Sequence, residues 1–101
     1  MPVAELRLRD FRAVTKNTLR GFATFEFPNG MVICDMPAHT KNGKSWVAFP
    51  AAPQLENGSI RVVDGKPQYK KLIGWRDRSL SDRFSEAAVG AIRRDKPGVL
   101  D

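Results

Sequence analysis

Four dipeptides of one kind, Asn29-Gly30, Asn42-Gly43, Asn57-Gly58 and Asp64-Gly65, punctuate the middle of this 101-residue chain. Asn-Gly and Asp-Gly supply the positive φ angles that tight hairpins demand, so each marks a place where the chain reverses on itself. Between such turns the segments are short and rich in β-branched and aromatic residues, which fit a pleated surface. The prediction is an antiparallel β-meander.

The best-marked strand is Lys44-Ser45-Trp46-Val47-Ala48-Phe49-Pro50, which follows one turn dipeptide and stops at a proline. Successive side chains of a strand point to opposite faces, placing Trp46 and Ala48 on one side and Val47 and Phe49 on the other. Neither side is polar, and a strand covered on both faces is expected at the centre of a sheet. Met31 to Met36 reads the same way, with Met31 and Ile33 on one face, Val32, Cys34 and Met36 on the other, and Pro37 as its end. Val3 to Arg12 alternates, with Leu6 and Leu8 inward and Arg7 and Arg9 outward, as an edge strand does. Val14 to Thr18 is expected as a polar connection, and Leu19 to Phe27 as a strand that buries Leu19, Ala23, Phe25 and Phe27. Residues 51–67 are expected as a projecting loop with a short strand pair, and Gln68 to Trp75 as a further strand with Tyr69, Ile73 and Trp75 on one face.

One helix is expected, from Leu80 to Arg94 and on the order of 22 Å long. Leu80, Phe84, Ala87, Ala88, Ala91 and Ile92 recur at the spacing of one helical face. Ser79 followed by Asp82 resembles a capping box, Arg93 and Arg94 suit the negative end of the helix dipole, and Pro97-Gly98 closes the helix. The fold class is therefore α+β: a meander sheet with one C-terminal helix packed on one face. Residues 1–95 form a single domain, followed by a tail over 96–101. Since one helix covers one face and two strands are apolar on both, a second copy of the chain is expected to cover the other face, giving a homodimer.

Composition excludes several classes. No apolar run approaches the ~20 residues of a membrane helix. The start, Met1-Pro2-Val3-Ala4-Glu5, lacks the pattern of a signal peptide, so a cytoplasmic location is expected. One cysteine, Cys34, cannot form an internal disulfide. With a single histidine, His39, beside it, a four-ligand zinc site cannot be assembled. His39 is expected in an exposed loop, and Asp35, on a buried-looking strand, as a paired structural carboxylate. The chain shows no Gly-rich phosphate loop, nucleophile elbow or paired-histidine motif, and the reading is a non-enzyme with no catalytic residues, metal or cofactor.

What remains is charge. Seventeen Lys and Arg against eleven Asp and Glu give a net +6, which favours polyanionic partners through long-range attraction and counterion release. The surplus concentrates in residues 66–83, where Lys66, Lys70, Lys71, Arg76, Arg78 and Arg83 oppose only Asp77 and Asp82, six against two. Tyr69 and Trp75 lie among them. Cations that meet phosphates and rings that stack on bases are what a nucleic-acid surface needs. The structural alternative is that both rings pack in the core while the lysines solubilise an edge strand. The predicted nucleic-acid-binding residues are Lys70, Lys71, Arg76, Arg78 and Arg83, gathered near the N-terminus of the helix, whose free N–H groups favour phosphate.

The order of these pieces resembles the SpoVG (stage V sporulation protein G) family of small bacterial regulators. The matching residues are Glu5-Leu6-Arg7-Leu8-Arg9 as the opening strand, Asn29 to Asp35 as hairpin and return, Trp46-Val47-Ala48-Phe49-Pro50 as the apolar strand ending in proline, and the final helix from Ser79. The resemblance implies a β-rich fold with one C-terminal helix, dimerisation, and DNA or other nucleic-acid binding that regulates gene expression. The chain departs from the family in Ala51-Ala52-Pro53 after the strand-ending proline and in a longer loop from Gln54 to Tyr69. The family's Arg-Gly-Lys at the start of the helix appears as Ser81-Asp82-Arg83, so Arg83 alone carries over. Two readings follow: a dimeric nucleic-acid-binding regulator, or a protein-interaction module whose basic surface docks an acidic protein partner.

Overall fold

Three of the four turn dipeptides place both residues at positive φ: Asn42 and Gly43 at 53° and 79°, Asn57 and Gly58 at 54° and 80°, Asp64 and Gly65 at 52° and 76°. These are the type I′ turns whose twist matches paired strands. At the fourth, only Gly30 is at positive φ, 88°. There the Gly30 N–H donates to the Phe27 carbonyl at 2.9 Å, so the turn runs from Phe27 to Gly30 with Pro28 preset at its first corner. A fifth reversal, at Asn17-Thr18 with Asn17 at φ 56°, replaces the connection expected over 14–18.

The computed structural model describes residues 6–101. Its body is an antiparallel meander of β1 (Arg7–Lys16), β2 (Leu19–Glu26), β3 (Val32–Lys41) and β4 (Lys44–Val47), side by side in that order. Residues 3–5 of the expected first strand lie outside the described residues. β1 is an edge strand, as its alternation predicts. β4 is the other edge, so the expectation that Lys44 to Pro50 forms a central strand is corrected. The physical reason is that its second neighbour is the helix: Val47 N–H donates to Ser85 Oγ at 3.0 Å and Phe49 packs on Phe84, which covers the strand from the side.

β3 is the interior strand, and its faces also differ from the alternating expectation. Ala23 opposes Met36 and Phe25 opposes Ile33, so Cys34 and Asp35 together face the single residue Thr24. This is a β-bulge, with Asp35 at φ 55°. It shifts the parity of the strand by one, so that Ile33, Met36 and Ala38 share the buried face while Met31, Val32 and Cys34 are exposed. Asp35 is not buried either: it is exposed and ion-pairs with Arg12 at 3.6 Å, a contact of small energetic value at such a surface. Pro37 does not end the strand. Ala38–Val47 is the last pair of the β3–β4 ladder, so the missing N–H of Pro37 falls where no ladder bond is lost, and its carbonyl still accepts from Ala48 N–H at 3.0 Å.

α1 (Arg78–Asp95) is longer than expected at both ends and is capped by Asp77, not Ser79. The Asp77 carboxylate accepts from Leu80 N–H at 3.0 Å, satisfying one of the free donors of the first turn. Phe84, Ala88, Val89, Ala91 and Ile92 of the helix meet Leu6, Ala23, Phe25, Phe27, Ile33, Met36, Ala38 and Val47 of the body in one core. Phe84 sits at its centre, 5.8 Å from Phe27 with parallel rings and 6.5 Å from Phe25 edge-on. The last residues do not hang free as a tail. Leu100 is fully buried in the same core, and its carbonyl accepts from Thr40 Oγ1 at 2.7 Å.

Residues 51–71 form an arm. β5 (Ala51–Pro53) pairs with β10 (Tyr69–Lys71) as a stem, and two small hairpins, β6 (Leu55–Glu56) with β7 (Ser59–Ile60) and β8 (Val62–Val63) with β9 (Lys66–Pro67), branch from its end. The strand expected over 68–75 is thus reduced to three residues and belongs to the arm.

Candidate nucleic-acid interface

A cleft of ≈ 980 Å³ separates the edge strand β4 and its continuation to Ala51 from the segment Tyr69–Arg78 and the first half of α1. Its floor is aromatic. Phe49, Trp75 and Phe84 stand 5.3 to 5.7 Å apart, centroid to centroid, and continue into the core through Phe84. The buried Trp75 Nε1–H has no acceptor among the described residues.

The walls are charged, five cations against the carboxylates of Asp77, Asp82 and Glu86. Lys70 and Lys71 come from β10, Arg76 and Arg78 from the turn into the helix, and Lys44 from the opposite wall on β4. Four of the five residues predicted from sequence are therefore brought together. Arg83 is not: it is exposed on the helix and does not line the cleft. Lys44 was missed, since nothing in the sequence shows that the start of β4 faces a segment some thirty residues later.

The five cations are not equivalent. Arg76 lies 3.6 Å from Asp77 and Arg78 lies 3.9 Å from Asp82, whereas Lys44, Lys70 and Lys71 have no acidic partner within 4.0 Å among the described residues. The Lys71 side chain lies over Gly74, where a Cβ would meet its Nζ at 2.7 Å. Asp77 is committed to the helix end: the Leu80 N–H, with smaller help from Ser79 and Arg76, holds its carboxyl below the usual range. It remains ionised while it caps.

Two rings sit at the rim. Tyr69 is exposed rather than in the core, so of the two rings in the basic segment only Trp75 packs inward. Trp46, on the sheet face away from the helix, lies flat against His39 at 5.3 Å and 13°. His39 is a strand residue, not a loop residue. Its Nδ1 is 3.0 Å from Thr18 Oγ1, and partial burial lowers its pKa from the ordinary value. Beside this pair the same face carries Phe22, opposite Pro37, with the Arg12 guanidinium 5.0 Å over its ring. These half-buried rings, flanked by Arg12, are what the structure shows in place of a continuous second apolar face.

Among the described residues no three His, Cys, Asp or Glu side chains gather as a metal site, and no helix is long and apolar enough to cross a membrane. No protein-family model, curated protein or solved structure matches the chain.

Proposed function

We infer that the chain binds nucleic acid along the cleft between β4 and the Tyr69–Arg78 segment. The observation that carries this reading is the convergence of Lys44, Lys70, Lys71, Arg76 and Arg78 on one groove from two walls, with Trp46 and Tyr69 at its rim. Three lysines without an acidic partner among the described residues meet phosphates as point charges, and the two arginines exchange weak exposed partners for phosphate. The exposed ring of Tyr69 and the half-buried ring of Trp46 favour strands whose bases are unstacked, because base-on-ring stacking is sequence-tolerant and needs an open base face. The resemblance of the strand, hairpin and helix order to the SpoVG family supports the same reading and extends it to a regulator of gene expression.

Titration of labelled single- and double-stranded oligonucleotides at two salt concentrations tests it. Binding should weaken steeply with salt, and Lys70→Ala/Lys71→Ala should reduce the slope of log K against log salt by about two, one for each lost phosphate contact. Trp46→Ala should weaken single strands more than duplex. Absence of binding to either at low salt, or an unchanged slope in the folded lysine variant, sinks the reading and favours an acidic protein as the ligand of the cleft.

A further inference from the structure

The arm contains a seven-residue repeat. Gln54-Leu55-Glu56-Asn57-Gly58-Ser59-Ile60 is followed by Arg61-Val62-Val63-Asp64-Gly65-Lys66-Pro67, and Gln68-Tyr69 opens the pattern a third time. The first residues of the three units close a ring of backbone hydrogen bonds. Arg61 N–H donates to the Gln54 carbonyl at 2.7 Å, Gln68 N–H to Arg61 at 2.8 Å, and Gln54 N–H to Gln68 at 2.8 Å. Because the three hold equivalent places in the ring, the residues that follow them, Leu55, Val62 and Tyr69, project to one side of it. Their cross-strand partners are Ile60, Pro67 and Pro53, and directly opposed residues share a face. Six apolar residues thus form one plate. The charged residues lie on the reverse, where Glu56 and Arg61 pair at 3.8 Å.

The plate is open to solvent: Leu55 is 70%, Val62 58%, Tyr69 57% and Ile60 47% exposed. We propose that two copies of the chain associate through this plate. Charge selects the occupant. The chain carries +6, yet residues 54–68 hold Arg61 and Lys66 against Glu56 and Asp64, two against two. The span that carries the plate, residues 53–69, is neutral, and the arm's surplus lies in Lys70 and Lys71 at its stem, so the plate is the part of a strongly basic molecule that a like copy approaches with least repulsion. Area agrees. A compact chain of 11.3 kDa exposes on the order of 5,700 Å², and this one exposes 6980 Å². The excess exceeds the ~800 Å² that each partner gives to a standard interface. Association face to face about a two-fold axis buries the same plate, Tyr69 included, on both copies and leaves Trp46 as the ring at the rim of each cleft.

Sedimentation equilibrium of the full chain, without nucleic acid, from low to high micromolar concentration tests this independently of the cleft. The wild type should weigh twice 11.3 kDa, and Leu55→Glu/Val62→Glu should fall to the single-chain mass. The arm lies outside the core, so far-UV circular dichroism should show the body still folded in that variant. Trp46→Ala, on the open sheet face, should remain dimeric. A wild type that stays monomeric overturns the proposal, whatever else the plate binds. So does a dimer that survives Leu55→Glu/Val62→Glu, or one that is lost in a folded Trp46→Ala chain.

Discussion

Replacing Phe84 by alanine empties the point where four other rings meet. Phe84 is 2% exposed, and its ring centroid lies 5.3 Å from Phe49, 5.5 Å from Trp75, 5.8 Å from Phe27 and 6.5 Å from Phe25. A buried Phe→Ala change costs ~3 to 5 kcal/mol through lost transfer energy and the cavity left behind. The upper half of that range applies here. Phe27 and Phe25 are anchored in β2 and Phe49 follows an edge strand held by Ser85, so the neighbours collapse poorly into the gap. Against a total stability of ~5 to 15 kcal/mol for a domain of this size, the variant should be marginal, with a melting temperature lower by on the order of 20 °C. Urea denaturation followed by tryptophan fluorescence measures the loss. The native emission of Phe84→Ala should itself shift to the red, since Trp75 loses its neighbour. Phe22→Ala, which removes a half-buried ring on the other face, should cost clearly less. A loss below about 1 kcal/mol for Phe84→Ala would mean that the helix does not pack on β2 through this ring.

His39 carries a pH signature. Burial holds its pKa below 6.5, so the folded state resists the proton that the unfolded chain accepts. Stability from this source is complete above that pH and is lost as pH falls through the lowered folded value. His39→Gln should remove that decline in denaturation midpoints as pH falls below about 6.5; an identical pH profile refutes the assignment. Gly21→Ala should cost about 1 to 3 kcal/mol, because a Cβ there would meet Phe11 Cζ at 2.5 Å and the Arg12 carbonyl oxygen at 2.7 Å. A melting temperature equal to wild type would show that Phe11 does not lie across β2.

Turns and the helix were legible because their signals are local. Asn-Gly and Asp-Gly fix a reversal wherever they stand, and the spacing from Leu80 to Ile92 makes an apolar stripe in any context. Faces and neighbours were less legible. Alternation assumes an unbroken count of two, and the bulge at Cys34-Asp35 breaks it without leaving a glycine to mark the place. An apolar strand reads as central because sequence shows that it is covered, not by what: β4 is covered by a helix and an aromatic cluster. The same limit applied to the cleft. The cations near 70–78 were visible as a cluster along the chain, but Lys44 joined them only in three dimensions, and Arg83 left them because the helix turns it away.

The ring at Gln54, Arg61 and Gln68 makes the arm countable. Each unit leaves the junction and returns to it after seven residues, so the stem does not register how many units are present. Remove Arg61 to Pro67 and the ring of three becomes the ordinary reciprocal pair of an antiparallel ladder, with β5 and β10 still in step. Elsewhere in the sheet a one-residue insertion exchanges buried and exposed side chains along a whole strand. Here the chain gains or loses length in whole leaves, at little closure entropy, while the body that holds the cleft stays as it is.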